Sequence, residues 1–174
     1  MVNQALEQLL TDTNWKDVDY LIIDLPPGTG DVQLTLCQKI PVSGAVIVTT
    51  PQDISLIDAR KGLKMFEKVE VPVLGIVENM STHVCKKCGH IGSIFGEGGG
   101  EQLASEAGVK LLGELPLEKQ IREEMDKGTP TVSSNPMDPA SLAYREIARK
   151  MTATLSMRKK DYSSAFPKIV IQND

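Results

Sequence analysis

No stretch of the 174 residues reaches the roughly 18 consecutive apolar residues that a membrane-spanning helix requires. The amino-terminal MVNQALEQLL has neither the basic segment nor the apolar core of a secretory signal. An excess of positive charge is missing too. The formal net charge of -4 supplies no basic footprint for nonspecific nucleic-acid binding. Cysteine is scarce: Cys37, Cys85 and Cys88 are too few and too unevenly spaced for a disulfide scaffold. Internal repeats and low-complexity blocks are absent. These absences predict a cytoplasmic protein with no membrane and no nucleic-acid partner. What is present, 41% hydrophobic and 24% charged residues, is enough for one ordinary globular domain.

The most informative stretch is Tyr20 to Asp31, YLIIDLPPGTGD. Tyr20, Leu21, Ile22 and Ile23 run into Asp24, and Pro26, Pro27, Gly28 and Gly30 then stop helix and strand alike. A continuous apolar run predicts a buried strand in a parallel sheet covered on both faces. Ligands in such sheets sit beyond the carboxyl ends of the strands. Asp24 at that end can hold a hydrated Mg2+, and Gly28 and Gly30 let backbone N–H groups approach a phosphate. A lone Asp there could instead merely cap a loop.

The rest of the chain alternates strand and helix patterns. An amphipathic helix is predicted from Asn3 to about Thr11, and a short helix capped by Asp31 with Leu34 and Cys37 inward. A strand over Gly44 to Thr50 leads to a helix from Ile54 to about Val69, capped by Asp53, with Ile54, Ile57, Leu63 and Phe66 as its apolar stripe. A third strand covers Val73 to Asn79. After an irregular segment, 80–100, a helix over Glu101 to Ala107 stops at Gly108. A fourth strand over Leu111 to Leu115 precedes a helix from about Glu118 to Lys127. Asp138 and Pro139 make an N-cap and first-turn pair for a last helix to about Leu155. Repeated βαβ units of this kind predict an α/β fold, a mostly parallel sheet flanked by helices. Residues 1–156 are expected to form the domain and 157–174 a loosely held tail.

The segment His83-Val-Cys85-Lys-Lys-Cys88-Gly-His90 carries separate chemistry. A C-x-x-C turn brings two sulfurs toward one metal, and Lys86 and Lys87 beside them should favour the thiolate. Two thiolates do not complete a structural zinc site or most iron-sulfur clusters, which take four protein ligands. His83 and His90 could add two for zinc, at the cost of crowding. Alternatively two copies of the pair face each other across a two-fold axis and share one cluster. A dithiol redox pair and an unliganded loop pair stand as further readings. The histidines are expected to be solvated or to support the site indirectly, and Cys37 to belong to the core.

Together, DLPPGTGD, TTPQDISLIDARKG, GIVENMS, the C-x-x-C pair, FGEGGG and LLGELPLEKQIREEMDKGTPTV closely resemble the Mrp/ApbC family of iron-sulfur cluster carrier ATPases. That family lies within the MinD/ParA-like group of P-loop NTPases. The resemblance runs in order to about Leu155. It implies that Asp24 is the Walker B carboxylate on the Mg2+ water shell, and that Leu25 to Asp31, including Gly28, senses the terminal phosphate of ATP. It implies that Asn79 hydrogen-bonds the adenine, with Pro116, Leu117 and Glu118 beside the base. Cys85 and Cys88 would ligate a [4Fe-4S] cluster shared across a homodimer, received from an assembly scaffold and delivered to acceptor apoproteins. FGEGGG matches a family signature whose task the sequence alone does not explain.

One departure stands out. No G-x-x-x-x-G-K-[ST] occurs in these residues, so the chain corresponds to the C-terminal part of such a carrier. The cluster site is expected to be retained and the ATPase impaired, because phosphate-loop contacts dominate transition-state stabilisation. Two rivals remain: a zinc- or thiol-dependent interaction module, and a MinD/ParA-type positioning ATPase, which leaves the C-x-x-C pair unexplained.

Overall fold

The computed structural model describes residues 2–158 apart from 26, 27, 29, 31, 32, 35, 38, 39 and 86. Helix α1 is Val2–Thr11, and the backbone is helical again at Gln33, Leu34, Leu36 and Cys37. Then come β1 (Ala45–Thr49), α2 (Asp53–Lys68), β2 (Val73–Glu78), a two-strand hairpin of β3 (His83–Val84) and β4 (Ile91–Gly92), and α3 (Gly99–Ala107). Strand β5 (Leu111–Glu114), α4 (Lys119–Asp126), α5 (Thr131–Ser134) and α6 (Pro139–Ser156) follow.

The main sheet has the order β1-β2-β5, and both pairings are parallel. Its central strand explains why both faces must be covered. Side chains alternate along β2, so Ile76 faces one layer and Val77 the other. Ile76 packs with Ile47, Leu56, Phe66 and Leu103, which places α2 and α3 on that face. Val77, Leu112 and Leu115 meet Tyr144, Ile147 and Met151 of α6 on the opposite face. The predicted α/β architecture is therefore present.

Several local expectations need correction. Tyr20 to Asp24 is not a strand: the backbone has no ladder partner there, and Tyr20, Leu21 and Ile22 are exposed. A strand needs neighbours to satisfy its N–H and C=O groups, and among the described residues nothing pairs with this run. Leu25, one residue on, does pack against the core. The stripe of α2 is rotated from the predicted one. Leu56, Ala59, Leu63 and Phe66 face inward, whereas Ile54 and Ile57 are exposed. Asp53 is the first helical residue and Gln52 occupies the cap position without a side-chain bond. A carboxylate in the first turn still favours the positive end of the helix dipole.

Other signals read as expected. Gly108 ends α3, and Asp138 caps α6 by accepting from Ala140 N at 2.9 Å with Pro139 beginning the helix. Cys37 packs against the core, and burial raises its thiol pKa. The short α5 is a further difference from the sequence expectation. It is locked to α6 by Ser141 Oγ, which meets Thr131 O at 2.9 Å and Asn135 O at 2.7 Å. The expected cap at Asp31 and the tail beyond Arg158 lie outside the described residues.

Candidate functional site

The carboxyl ends of β1, β2 and β5 form a crest, and the sequence-predicted base contacts gather there. Asn79 follows β2 directly: its N–H donates to Thr49 O at 2.7 Å, and its Oδ1 accepts from Met80 N at 3.0 Å. Met80 takes φ 58°, an uncommon conformation for a non-glycine residue, which turns the chain out of the sheet. Ser81 N then donates to Leu115 O at 3.0 Å and Leu117 N to Thr82 O at 2.7 Å. These bonds draw Pro116, Leu117 and Glu118 alongside the residues that follow Asn79. All four predicted base contacts are half-buried.

The remaining predicted nucleotide residues are placed differently. Asp24 is exposed, and among the described residues no hydrogen bond or ion pair joins it to the crest. Gly28 is exposed with φ 100°, and its carbonyl accepts from Gln33 Nε2 at 3.1 Å. Asp31 lies outside the described residues.

Glu78 is not among the sequence-predicted site residues, yet it has a defined place here. It is 1% exposed at the end of the central strand, and its carboxylate accepts the backbone N–H of Gly100. That bond satisfies one of the orphan donors at the start of α3. Burial raises the Glu78 pKa, the Gly100 N–H opposes this, and Glu114 and Glu101 add to the rise. The arrangement also explains FGEGGG. A Cβ on Gly100 would stand 2.8 Å from Glu78 Cβ, and one on Gly99 would stand 3.0 Å from Pro51 O. Only glycine lets α3 approach the crest this closely. An acidic residue closing an otherwise apolar strand was the available signal.

The cysteine pair sits on the small hairpin between the crest and α3. In the antiparallel β3–β4 ladder, His83 pairs with Gly92 and Val84 with Ile91. Cys85 N continues it by donating to His90 O at 2.9 Å, and Gly89 N closes the turn on Cys85 O at 2.8 Å. Gly89 takes φ 71°, which a residue with a side chain adopts reluctantly. Cys85 is half-buried, Cys88 exposed, and both are free thiols. The Cys85 pKa is lowered by the Cys88 backbone N–H foremost, then by the Lys87 N–H, the Cys88 thiol and the His83 charge, against some desolvation. Among the described residues the charge of Lys87 is not one of the causes, and its backbone N–H is. Lys86 lies outside the described residues.

His83 is bonded to Leu117 O at 2.9 Å, and His90 is exposed. Among the described residues no group of three or more His, Cys, Asp or Glu gathers as a metal site. The described residues therefore bring two free thiols, Cys85 and Cys88, onto one closed turn.

Comparison with known proteins bears on the family and the fold. Residues 1–152 match the family model for ParA, the NUBPL iron-transfer P-loop NTPase. The iron-sulfur cluster carrier protein of Escherichia coli K12 is 60% identical over 155 residues, covering 89% of this chain and 42% of that protein. The iron-sulfur cluster transfer protein NUBPL of Mus musculus is 52% identical over 155 residues, covering 89% of this chain and 49% of that one. The chain thus spans about half the length of the curated relatives it matches. Among solved structures, the nucleotide-binding protein in complex with ADP from Archaeoglobus fulgidus aligns with a TM-score of 0.70 at 35% identity, over 82% of this chain and 57% of that one. The Pyrococcus furiosus cell division ATPase MinD aligns at a TM-score of 0.61 and 22% identity, over 87% of this chain and 57% of that one, a likeness of fold alone. The chain belongs to the ParA-type family of NUBPL iron-transfer P-loop NTPases.

Proposed function

We propose that this chain carries an iron-sulfur cluster on Cys85 and Cys88, holding it between two copies and passing it to acceptor apoproteins. The observation that carries this reading is the preorganised C-x-x-C turn. Cys85 N on His90 O and Gly89 N on Cys85 O close that turn, and the Cys88 and Lys87 N–H groups lower the Cys85 pKa toward the thiolate that iron requires. A second copy would complete the four thiolates of a [4Fe-4S] cluster, because a two-fold axis doubles every ligand. An assembly scaffold would load the cluster in the cytoplasm. The names of the relatives, cluster carrier and cluster transfer proteins, support the cargo.

Nucleotide plays a subordinate part in this reading. In it Asn79, Pro116, Leu117 and Glu118 are assigned to the base, and Asp24, Gly28 and Asp31 to Mg2+ and the terminal phosphate. The bonds that draw these four residues together at the crest, Asn79 with Pro116, Leu117 and Glu118, support the base assignment. The phosphate end lacks a G-x-x-x-x-G-K-[ST] within these 174 residues, so hydrolysis by them alone is impaired. The domain is residues 1–156, with 157–174 as its tail.

Iron, acid-labile sulfide and zinc measured per chain after anaerobic reconstitution test the cargo. Iron and sulfide are expected in the wild type and lost in Cys85→Ser and Cys88→Ser. Zinc alone, or no metal with the variants unchanged, would instead support a zinc- or thiol-dependent interaction module. Hydrolysis by the pure chain that disappears in Asp24→Ala would overturn the impaired ATPase.

A further inference from the structure

The segment between β2 and Cys85 is tied, residue after residue, to the segment that follows β5. Leu115 N donates to Glu78 O at 2.8 Å. Ser81 N and Ser81 Oγ donate back to Leu115 O at 3.0 and 3.2 Å. Leu117 N donates to Thr82 O at 2.7 Å, and the His83 ring meets Leu117 O at 2.9 Å. A carbonyl only accepts, so His83 Nδ1 carries the proton of this last bond. The ladder therefore outruns the sheet and ends on a side chain two residues before Cys85.

Strands β3 and β4 have two residues each, and so short a hairpin does not hold itself. Its two ends need anchors. The returning end is fixed where Glu78 accepts from Gly100 and Gly99 lies against Pro51. The outgoing end is fixed by His83 on Leu117. Leu117 thus makes one bond on each side of the peptide that the base-binding reading puts beside adenine.

We infer that His83 is a positioning residue that ties the Cys85 turn to the Leu115–Leu117 segment, so that an adenine nucleotide at the crest alters how the cysteine pair is held. The inference rests on the base-binding reading proposed above. Moving Leu117 strains or releases its bonds to Thr82 and His83 together, while the Glu78–Gly100 anchor stays in place. The cysteine turn then pivots about its returning end. His83 itself touches no cargo and acts through the Leu117 carbonyl.

Amide hydrogen exchange on the metal-free 174-residue chain tests this directly. In His83→Ala, amides in residues 83–90 are expected to exchange about 10-fold faster or more, as for a locally opened unit, with β2 and β5 unmoved. His83→Asn, whose Nδ2 reaches as far as the histidine Nδ1, is expected to restore most of the protection. Equal exchange in wild type and His83→Ala, or no rescue by Asn, would overturn the positioning role. Millimolar Mg-ADP is expected to change exchange over 83–90 in the wild type and not in His83→Ala. With ADP binding followed by equilibrium dialysis on the same sample, bound ADP and unchanged exchange in the wild type would overturn the coupling, and no bound ADP would overturn the base-binding reading and the coupling with it. If no cluster loads into the wild type at all, the carrier reading fails, and the metal-free exchange data still decide the role of His83.

Discussion

Two short stretches of this chain are nearly alike in composition and opposite in fate. Tyr20-Leu-Ile-Ile-Asp24 and Leu74-Gly-Ile-Val-Glu78 are both apolar runs ended by a carboxylate. The second is the central strand, paired on both edges, with Ile76 0% exposed; the first has no ladder partner among the described residues, and Ile22 is 71% exposed. A strand is thus made by its neighbours more than by its own residues. The two carboxylates differ for the same reason. Glu78 is enclosed and serves the N-terminus of α3, while Asp24 faces solvent.

The sharpest way to break this comparison is to make the same substitution in both stretches. Ile76→Ala is expected to cost about 2 to 5 kcal/mol, because its cavity opens in the main core. Ile22→Ala is expected to stay within about 0.5 kcal/mol, as an exposed position should. Urea denaturation of the two variants checks this, and equal losses would mean that the first stretch is paired in solution. A smaller effect is expected from Gly100→Ala. Its Cβ would meet Glu78 Cβ at 2.8 Å, and overpacking of that kind costs about 1 to 3 kcal/mol.

The smallest effect is a pH dependence. Burial raises the Glu78 pKa, so the folded state holds that proton more tightly than the unfolded one. Its contribution is most favourable at or below the ordinary carboxylate range, and is lost as pH rises through the raised value. Glu101 and Glu114 are the charges that reinforce the rise. Glu78→Gln keeps an acceptor for Gly100 N and removes this slope. Thermal melts across pH 4 to 8 are therefore expected to show the variant gaining on wild type as pH rises from the acid end.

How far the sequence could be read follows from the same contrast. Features decided locally were legible: Asp138 with Pro139 as a helix start, Gly108 as a stop, and the C-x-x-C turn. Alternating strand and helix patterns were enough for the α/β class and the parallel sheet. Features decided by distant neighbours were not. The face of α2 depends on which side Ile47 and Ile76 occupy, and the task of FGEGGG depends on Glu78 and Pro51. The direction of the Cys85 pKa was legible, but its largest cause, the Cys88 backbone N–H, arises only once the turn is folded. The role of His83 likewise required knowing that Leu117 passes beside it.

Native mass spectrometry of the anaerobically reconstituted protein tests the central claim most directly, because it counts chains and cluster atoms in one particle. The account predicts two chains with a single four-iron, four-sulfide cluster, reverting to cluster-free chains in Cys88→Ser. A single chain holding one zinc or iron ion, unchanged in that variant, would contradict it.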